Sequence, residues 1–166
     1  MKIIGCGNPE RGDDGAGIAV AERLLQLGIP AAAHSADALS LLDCWQSGED
    51  EVILIDAVST GSPAGTLHVW ENELPALAAA GTFSSHGFDT GRALALARIL
   101  RRLPVRLRVY AIEASHFRQG DCMSPEVSRA VDLAAGQIRA EFLEVERAAA
   151  ATDQRYALAN SNSSLG

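Results

Sequence analysis

The chain has 166 residues, 48% of them hydrophobic and 21% charged, which predicts a single globular domain. Its formal net charge of −7 argues against general nucleic-acid binding, because that needs excess positive charge. No apolar run approaches the ~18 residues of a membrane span, and the first residues lack the apolar core of a signal peptide. The 3 cysteines are odd in number and form no C-x-x-C pair, which suits a reducing compartment. Together these features predict a cytoplasmic protein that binds neither nucleic acid nor membranes.

The first third of the chain predicts a strand followed by helices. Residues 3–4 are a short apolar run of the kind that forms a strand. A helical pattern begins near Asp13 and ends before Gly28. Its apolar positions recur at helical spacing: Ala16, Val20, Leu24 and Leu27. A second, short helix is expected from Asp37, as its N-cap, to about Gln46.

The central part of the chain predicts two strands of different kinds. Val52–Ile55 is continuously apolar, which is typical of a parallel strand buried on both faces, and it ends at Asp56. Residues 66–70 alternate, with Leu67 and Val69 on one face, which predicts an edge strand.

The last part of the chain predicts a helix, a strand and a long helix. Asp89 or Thr90 is expected to cap a helix that reaches Leu103. Residues 105–112 have the pattern of a strand, and Ser124-Pro125 has the pattern of an N-cap followed by proline at the first helical position. The expected buried stripe of this last helix is Val127, Val131, Ala134, Ile138, Phe142 and Val145.

Strands that alternate with helices predict an α/β fold, a three-layer α/β/α sandwich around a mostly parallel, twisted sheet of about five strands. The expected order of elements is β-α-β-α-β-β-α-β-α, in which the strand between the first two helices has no residues assigned to it. Apolar periodicity is lost from about Ala148 onward. We therefore expect a single domain over residues 1–147 and a flexible C-terminal tail over residues 148–166.

Open α/β sheets bind ligands at the carboxyl ends of their strands, and three segments of this sequence fall at such ends. They are Gly5–Gly17 after the first strand, Asp56–Val58 after the apolar strand, and Ser84–Gly87 before a helix. The glycines of the first segment suggest a dinucleotide site, but Glu10 replaces the third glycine of G-x-G-x-x-G. Two acids at the helix start would also repel a pyrophosphate, so nucleotide binding is not expected.

Four side chains in these segments are candidates for chemistry. Asp13 is most simply an N-cap, whereas Asp14 is either a first-turn acid favoured by the helix dipole or a ligand that points into the crevice. Asp56 follows four buried apolar residues, so it is paired, capping or functional, because burial of an unpaired acid costs free energy. His86 alone has the character of an ordinary loop histidine. As a set, Asp14, Asp56 and His86 offer the N/O ligands that suit Ni²⁺, Zn²⁺ or Fe²⁺ and leave positions open for water or substrate.

The segment Gly5–Gly17, GCGNPERGDDGAG, closely resembles the opening motif of the NiFe-hydrogenase maturation endopeptidases, the HycI/HybD/HoxW-type peptidases of family M52. Later pieces of the family pattern follow in order over about residues 1–145: Ile55–Val58, Ser84–His86, Ile112–Ala114, Phe117, Gly120 and Ser124-Pro125. The resemblance implies a single α/β/α sandwich whose metal ligands are a helix-start acid, a strand-end Asp and a loop His. These ligands correspond to Asp14, Asp56 and His86 in this chain.

The same resemblance implies an endopeptidase that removes the C-terminal extension of a NiFe-hydrogenase large-subunit precursor after nickel insertion. Asp14, Asp56 and His86 are then both the catalytic residues and the metal ligands. The precursor is the expected partner of a monomeric enzyme and supplies the nickel, for which other divalent ions can substitute in crystals. Two other interpretations stay open: a divalent-metal hydrolase of small molecules, and a nickel-dependent checkpoint that binds the precursor without cutting it.

Two further features lie outside the ligand set. Cys6 stands where the family often has an aliphatic residue, and we interpret it as a small buried thiol. A basic cluster occurs in this otherwise acidic chain. It consists of Arg98, Arg101, Arg102, Arg106 and Arg108. We interpret the cluster either as a solvated surface or as a docking patch for an acidic face of the precursor.

Overall fold

The computed structural model describes residues 1–34, 38–45, 50–72 and 88–163, which form a five-stranded sheet covered by helices on both faces. The strands are β1 (Lys2–Cys6), β2 (Ala32–His34), β3 (Glu51–Val58), β4 (Leu67–Glu71) and β5 (Arg106–Glu113). The helices are α1 (Ala16–Gln26), α2 (Ala38–Leu42), α3 (Phe88–Ile99) and α4 (Pro125–Ser163), and a 3-10 turn covers Gly12–Gly15. The predicted α/β sandwich is confirmed.

The strands are arranged in the order β2-β1-β3-β5-β4. The direction in which the chain adds strands to the sheet therefore reverses in the middle. From β1 the chain moves outward to β2, and from β3 it moves outward to the other edge. All neighbouring strands are parallel except β4, which is the predicted edge strand and runs antiparallel to β5. The reversal therefore lies between β1 and β3, and such switch points are where α/β sheets bind ligands.

Strand β3 is the centre of the core, and all eight of its residues are buried. Ile53 and Ile55 face the layer that contains α1 and α4, whereas Val52 and Leu54 face the layer that contains α2 and α3. Each such side chain contributes about 1.5–3 kcal/mol by leaving water. The strand continues to Val58, so the prediction that it ends at Asp56 is wrong, because two further apolar residues stay in the ladder with β5.

The predicted end of α1 is confirmed, whereas the predicted boundaries of α3 are wrong. Gly28 follows α1 with φ +77°, and the N–H of Ile29 donates to the Leu24 carbonyl oxygen at 2.9 Å, which confirms the predicted C-terminal glycine. Helix α3 begins at Phe88, before both predicted caps, and it ends at Ile99 rather than at Leu103. The predicted cap Asp37 lies outside the described residues.

The last helix is longer than its buried stripe. Ser124 caps α4, since the N–H of Val127 lies 3.4 Å from the Ser124 hydroxyl oxygen. The backbone of residues 148–163, predicted as a tail, continues this helix, and the side chains of residues 144–152 are exposed. The flexibility of residues 148–166 stays a prediction. Of the helices that the structure describes, none combines the length and the apolar character that a membrane crossing needs.

Candidate functional site

Asp56 lies in β3 at the carboxyl end of the sheet and is only 2% exposed. The N–H of Ala57 donates to Asp56 Oδ1 at 2.8 Å, which offsets part of the cost of burying this acid. In the ladder Gly5 lies beside Ile55, so Cys6 is the β1 neighbour of Asp56. The buried acid is thus placed at the switch point.

Cys6 is buried, as interpreted from the sequence, and its thiol is hydrogen-bonded to the side chain of Thr90 in the first turn of α3. Burial, and then the nearby charge of Asp56, raise the pKa of Cys6 well above its ordinary value. We conclude that Cys6 is a neutral packing residue that joins the start of α3 to β1 next to Asp56.

Close packing against backbone atoms requires glycine at two positions of the first motif. A Cβ atom at Gly17 would lie 2.3 Å from the carbonyl oxygens of Cys6 and Ile55, and one at Gly5 would lie 2.0 Å from the Gly17 oxygen. Only glycine therefore lets the start of α1 lie directly against β1 and β3. This close approach brings the acids before α1 to the switch point.

Asp14 lies in the 3-10 turn that precedes α1, and it is only 3% exposed. The turn contacts β3. The N–H of Asn8 donates to the Asp14 carbonyl oxygen at 3.1 Å, and a Cβ at Gly7 would lie 1.9 Å from that oxygen. Two buried carboxylates, Asp14 and Asp56, are thus held at the same end of the sheet.

Asp13 is not an N-cap, because neither the 3-10 turn nor α1 has a side-chain cap bond. Its carboxylate instead accepts hydrogen bonds from the backbone N–H groups of Ser124 at 2.7 Å and of Ser115 and His116 at 3.0 Å. Burial alone would raise the pKa of Asp13, but these hydrogen bonds outweigh it and hold the pKa below its usual value. Asp13 is therefore an ionised structural acid.

Asp13 belongs to a set of contacts between the first loop (residues 7–15) and the last loop (residues 114–124), which we call the loop clamp. The Arg11 guanidinium donates to the Phe117 carbonyl oxygen at 2.9 and 3.2 Å. The N–H of Gly120 donates to the first loop at 2.8 Å. The later family positions therefore pack against the opening motif, a relation that no local pattern in the sequence could reveal.

Glu113, at the end of β5, is a buried acid with a structural role. Its carboxylate accepts hydrogen bonds from the N–H groups of Thr60 at 2.6 Å and Gly61 at 2.9 Å, and from the Thr60 hydroxyl at 2.8 Å. These contacts fix the loop that follows β3, a strand that ends two residues beyond Asp56. In the sequence, this residue stands out only as one position of the family pattern.

His86, the third predicted ligand, lies outside the described residues, two positions before α3 begins. Within residues 1–34, 38–45, 50–72 and 88–163, no three His, Cys, Asp or Glu side chains are grouped so that they could hold a metal ion. The structure therefore brings Asp14 and Asp56 to one end of the sheet, and their predicted metal site with His86 stays a prediction.

The basic cluster approaches the opposite, amino end of the sheet, where β5 begins. Three of its arginines lie close to acids of the same chain. The pairs are Arg102 with Asp43 at 3.7 Å, Arg106 with Glu51 at 3.5 Å, and Arg108 with Glu71 at 2.8 Å and with Glu141. Much of this positive charge is neutralised within the chain, and a docking role stays a prediction.

Comparisons with solved structures support the fold. HybD, a NiFe hydrogenase maturation protease from Thermococcus kodakarensis, is similar with a TM-score of 0.68 and 24% identity, covering 84% of this chain and 97% of that one. The hydrogenase maturating endopeptidase HybD from Escherichia coli gives a TM-score of 0.71 at 22% identity, covering 87% and 94%. A solution structure of an endopeptidase from Escherichia coli gives 0.74 at 23% identity, with the same coverage.

The family comparison concerns the sequence itself. No curated protein matches the chain. The family model HycI, described as hydrogenase maturation protease, matches residues 35–141, a stretch that includes Asp56 and His86 and begins after Asp14. This stretch is more than half of the chain, and the fold agrees with it. The chain belongs to the HycI family of hydrogenase maturation proteases.

Proposed function

We propose that this chain is the endopeptidase that removes the C-terminal extension of a NiFe-hydrogenase large-subunit precursor once nickel has been inserted. Family membership gives the coarser activity, a protease of hydrogenase maturation. The names of the similar structures, a hydrogenase maturation protease and a hydrogenase maturating endopeptidase, support this substrate class. The precursor is the protein partner, and the enzyme acts on it as a monomer in the cytoplasm.

The observation that carries the proposal is the pair of buried carboxylates at the switch point. Asp14 and Asp56 are 3% and 2% exposed, and they come from the two segments that flank the reversal of strand order. Burying two acids at one end of the sheet costs free energy, and a role in binding a ligand would account for that cost. The position is the one at which α/β sheets hold their ligands.

His86 is proposed as the third ligand because of its place in the chain. It precedes Thr90 by four residues, and Thr90 is hydrogen-bonded to Cys6, the β1 neighbour of Asp56. Four residues reach at most about 14 Å, so the chain length permits the imidazole to share an ion with Asp56.

The chemistry follows from the donor types. Two carboxylates and one imidazole suit nickel and other borderline divalent ions. In the proposal, Asp14, Asp56 and His86 contact nickel that the precursor already holds, so they test whether loading is complete and position the segment to be cut. The precursor's nickel supplies Lewis acidity to the scissile carbonyl. A carboxylate at this edge can orient the attacking water.

The test is to incubate the full chain with nickel-loaded and nickel-free precursor and to measure the precursor mass. We expect the loss of a C-terminal peptide from the loaded form only. An unchanged mass after tight binding would favour a checkpoint protein instead. Metal-stimulated turnover of simple esters or amides, without cleavage of the precursor, would favour a small-molecule hydrolase.

A second measurement concerns where the nickel resides. Because the proposal places the ion on the precursor, the purified chain treated with a chelator should retain far less than one equivalent of nickel. Retention of a full equivalent through chelation would contradict this part of the proposal.

A further inference from the structure

A cysteine and a histidine outside the candidate site contact each other at the same end of the sheet. The Sγ atom of Cys44 lies 3.4 Å from Nδ1 of His34, the last residue of β2. The other ring nitrogen of His34 lies 3.5 Å from the Ser40 hydroxyl oxygen. Both members of the pair are half-buried, so small solutes can reach them. The proposed protease function gives this pair no role.

The pair is held in place by contacts on both sides. The His34 carbonyl oxygen accepts the N–H of Gly7 at 3.3 Å, which fixes the end of β2 against the first loop. The N–H of Cys44 donates to the Leu41 carbonyl oxygen at 3.0 Å, and the neighbouring side chains of Leu41 and Trp45 are buried. The two donors therefore keep their separation without a ligand, as a preorganised site requires.

We infer that Cys44 and His34 bind one thiophilic divalent cation, of the class of Zn²⁺, Co²⁺ and Cd²⁺, with water as the remaining ligands. In a tetrahedral zinc site with metal–sulfur and metal–nitrogen bonds of about 2.3 and 2.0 Å, the sulfur and nitrogen lie about 3.5 Å apart. The observed 3.4 Å matches that separation. In the tautomer that leaves Nδ1 free to bind a metal, the Nε2–H of His34 donates to the Ser40 hydroxyl oxygen at 3.5 Å, and this contact orients the imidazole as outer partners of metal-bound histidines do.

Binding has a defined proton balance. As the metal–sulfur bond forms, the thiol proton of Cys44 passes to the buffer. The affinity for the cation should therefore increase as the pH rises. Since the described part of the chain brings only two such donors together here, the site is an open one.

The inferred site lies close to the candidate active site but does not depend on it. His34 pairs with Cys6 in the ladder, and Cys6 is the β1 neighbour of Asp56. With strands about 4.8 Å apart, the backbone of His34 lies about 10 Å from that of Asp56. A cation on Cys44 and His34 would thus sit beside the edge at which we propose that the precursor docks.

The experiment is a titration of the metal-free full chain with Co²⁺, followed by the thiolate-to-cobalt charge-transfer absorption. We expect the absorption to saturate at one equivalent in the wild type. Cys44→Ser should remove it, and His34→Gln should weaken the affinity by more than about tenfold. Cys6→Ala and Cys122→Ser are matched controls that should keep it, with circular dichroism used to verify the fold of each variant.

A separate variant distinguishes this inference from the proposed function. Asp56→Asn removes a ligand of the candidate active site and should leave the charge-transfer absorption unchanged. The inference is overturned if the wild type shows no such absorption, or if Cys44→Ser retains it. Neither result would bear on cleavage of the precursor, which is measured by mass.

Discussion

The two ends of the sheet both carry acidic side chains, but they compensate the negative charge in different ways. At the carboxyl end, Asp13 and Glu113 accept hydrogen bonds mainly from backbone N–H groups. At the amino end, Glu51 lies 3.5 Å from the guanidinium of Arg106, and Arg108 pairs with Glu71 and Glu141. Backbone N–H dipoles thus stabilise these acids at the carboxyl end, whereas guanidinium groups stabilise the acids at the amino end.

This difference bears on where a cation can bind. Backbone donors keep a buried acid ionised without placing a positive charge beside it, as the lowered pKa of Asp13 indicates. Ionised Asp13 therefore adds negative charge to the end of the sheet that also carries Asp14 and Asp56, and negative charge attracts cations. At the amino end the arginines cancel the charge, so that end is suited to stability rather than to metal chemistry.

The largest expected effect is on activity at the carboxyl end. Asp56→Asn or His86→Ala should abolish processing of a nickel-loaded precursor, because each removes a proposed ligand, while circular dichroism shows an intact fold. Glu71→Gln, an acid substitution at the amino end, is the matched control and should process at the wild-type rate. Full activity of either site variant, measured by precursor mass, would contradict the assignment.

The second largest effect is expected on the free energy of unfolding, when the loop clamp is disrupted. Asp13→Ala leaves three backbone N–H groups without their acceptor, so we expect the free energy of unfolding to fall by more than about 3 kcal/mol in chemical denaturation. Asp132→Ala, which removes an exposed partner of Arg23, should cost less than about 1 kcal/mol. Equal losses in the two variants would show that Asp13 is not a structural acid.

The approach of α1 to the sheet offers a third test of the carboxyl end. Gly17→Ala should destabilise the fold by about 3 kcal/mol, because its Cβ would overlap two backbone oxygens that cannot move independently of the sheet. Gly136→Ala in α4 meets nothing within 4 Å and should stabilise the protein by up to about 1 kcal/mol. Thermal unfolding of both variants measures this difference. If Gly17→Ala were as stable as Gly136→Ala, close packing would not explain the glycine at position 17.

The pH dependence of stability should reveal the contribution of Asp13, whose carboxylate is held by backbone N–H groups. Since the pKa of Asp13 is lower in the folded than in the unfolded state, its contribution is complete above the unfolded value of about 3.9 and is lost as the pH falls through the folded value. As the pH falls below about 4, the free energy of unfolding measured in urea should therefore decrease more steeply for the wild type than for Asp13→Asn. Asp132→Asn should follow the wild-type curve, and parallel curves for all three would refute the assignment.

The smallest effect is expected at the amino end. Arg106 is 65% exposed, so Arg106→Gln should lower the free energy of unfolding by about 1 kcal/mol or less, and by less still at high salt. Denaturation at low and high ionic strength measures this. A large loss that salt does not reduce would mean that the pair with Glu51 behaves like the buried acids of the other end.

The fold was predictable where local patterns and burial agree. The apolar run from Val52 to Ile55 predicts a central parallel strand because only a strand covered on both faces can bury every side chain. The carboxyl end of that strand then locates Asp56, and the helix start locates Asp14. Both are buried at the predicted end of the sheet.

Side-chain roles that depend on distant partners could not be predicted. Asp13 has the local pattern of an N-cap, but the N–H groups it binds are 102 to 111 residues away in the chain. His34 and Cys44 are ten residues apart, and no local pattern in the sequence reveals that their side chains contact each other. Boundaries such as the end of α3, at Ile99 rather than Leu103, also moved, since helix ends fray and the local pattern does not fix the last turn.

The loop clamp has a consequence for biosynthesis. Because Asp13 is completed by backbone groups of the last loop, the opening motif cannot reach its final arrangement until Ser124 has left the ribosome. Contacts of such long sequence separation also slow folding. The N-terminal acids, although translated first, are therefore among the last parts of the molecule to reach their final arrangement, and a nascent chain cannot complete this end of the sheet before its own synthesis is nearly finished.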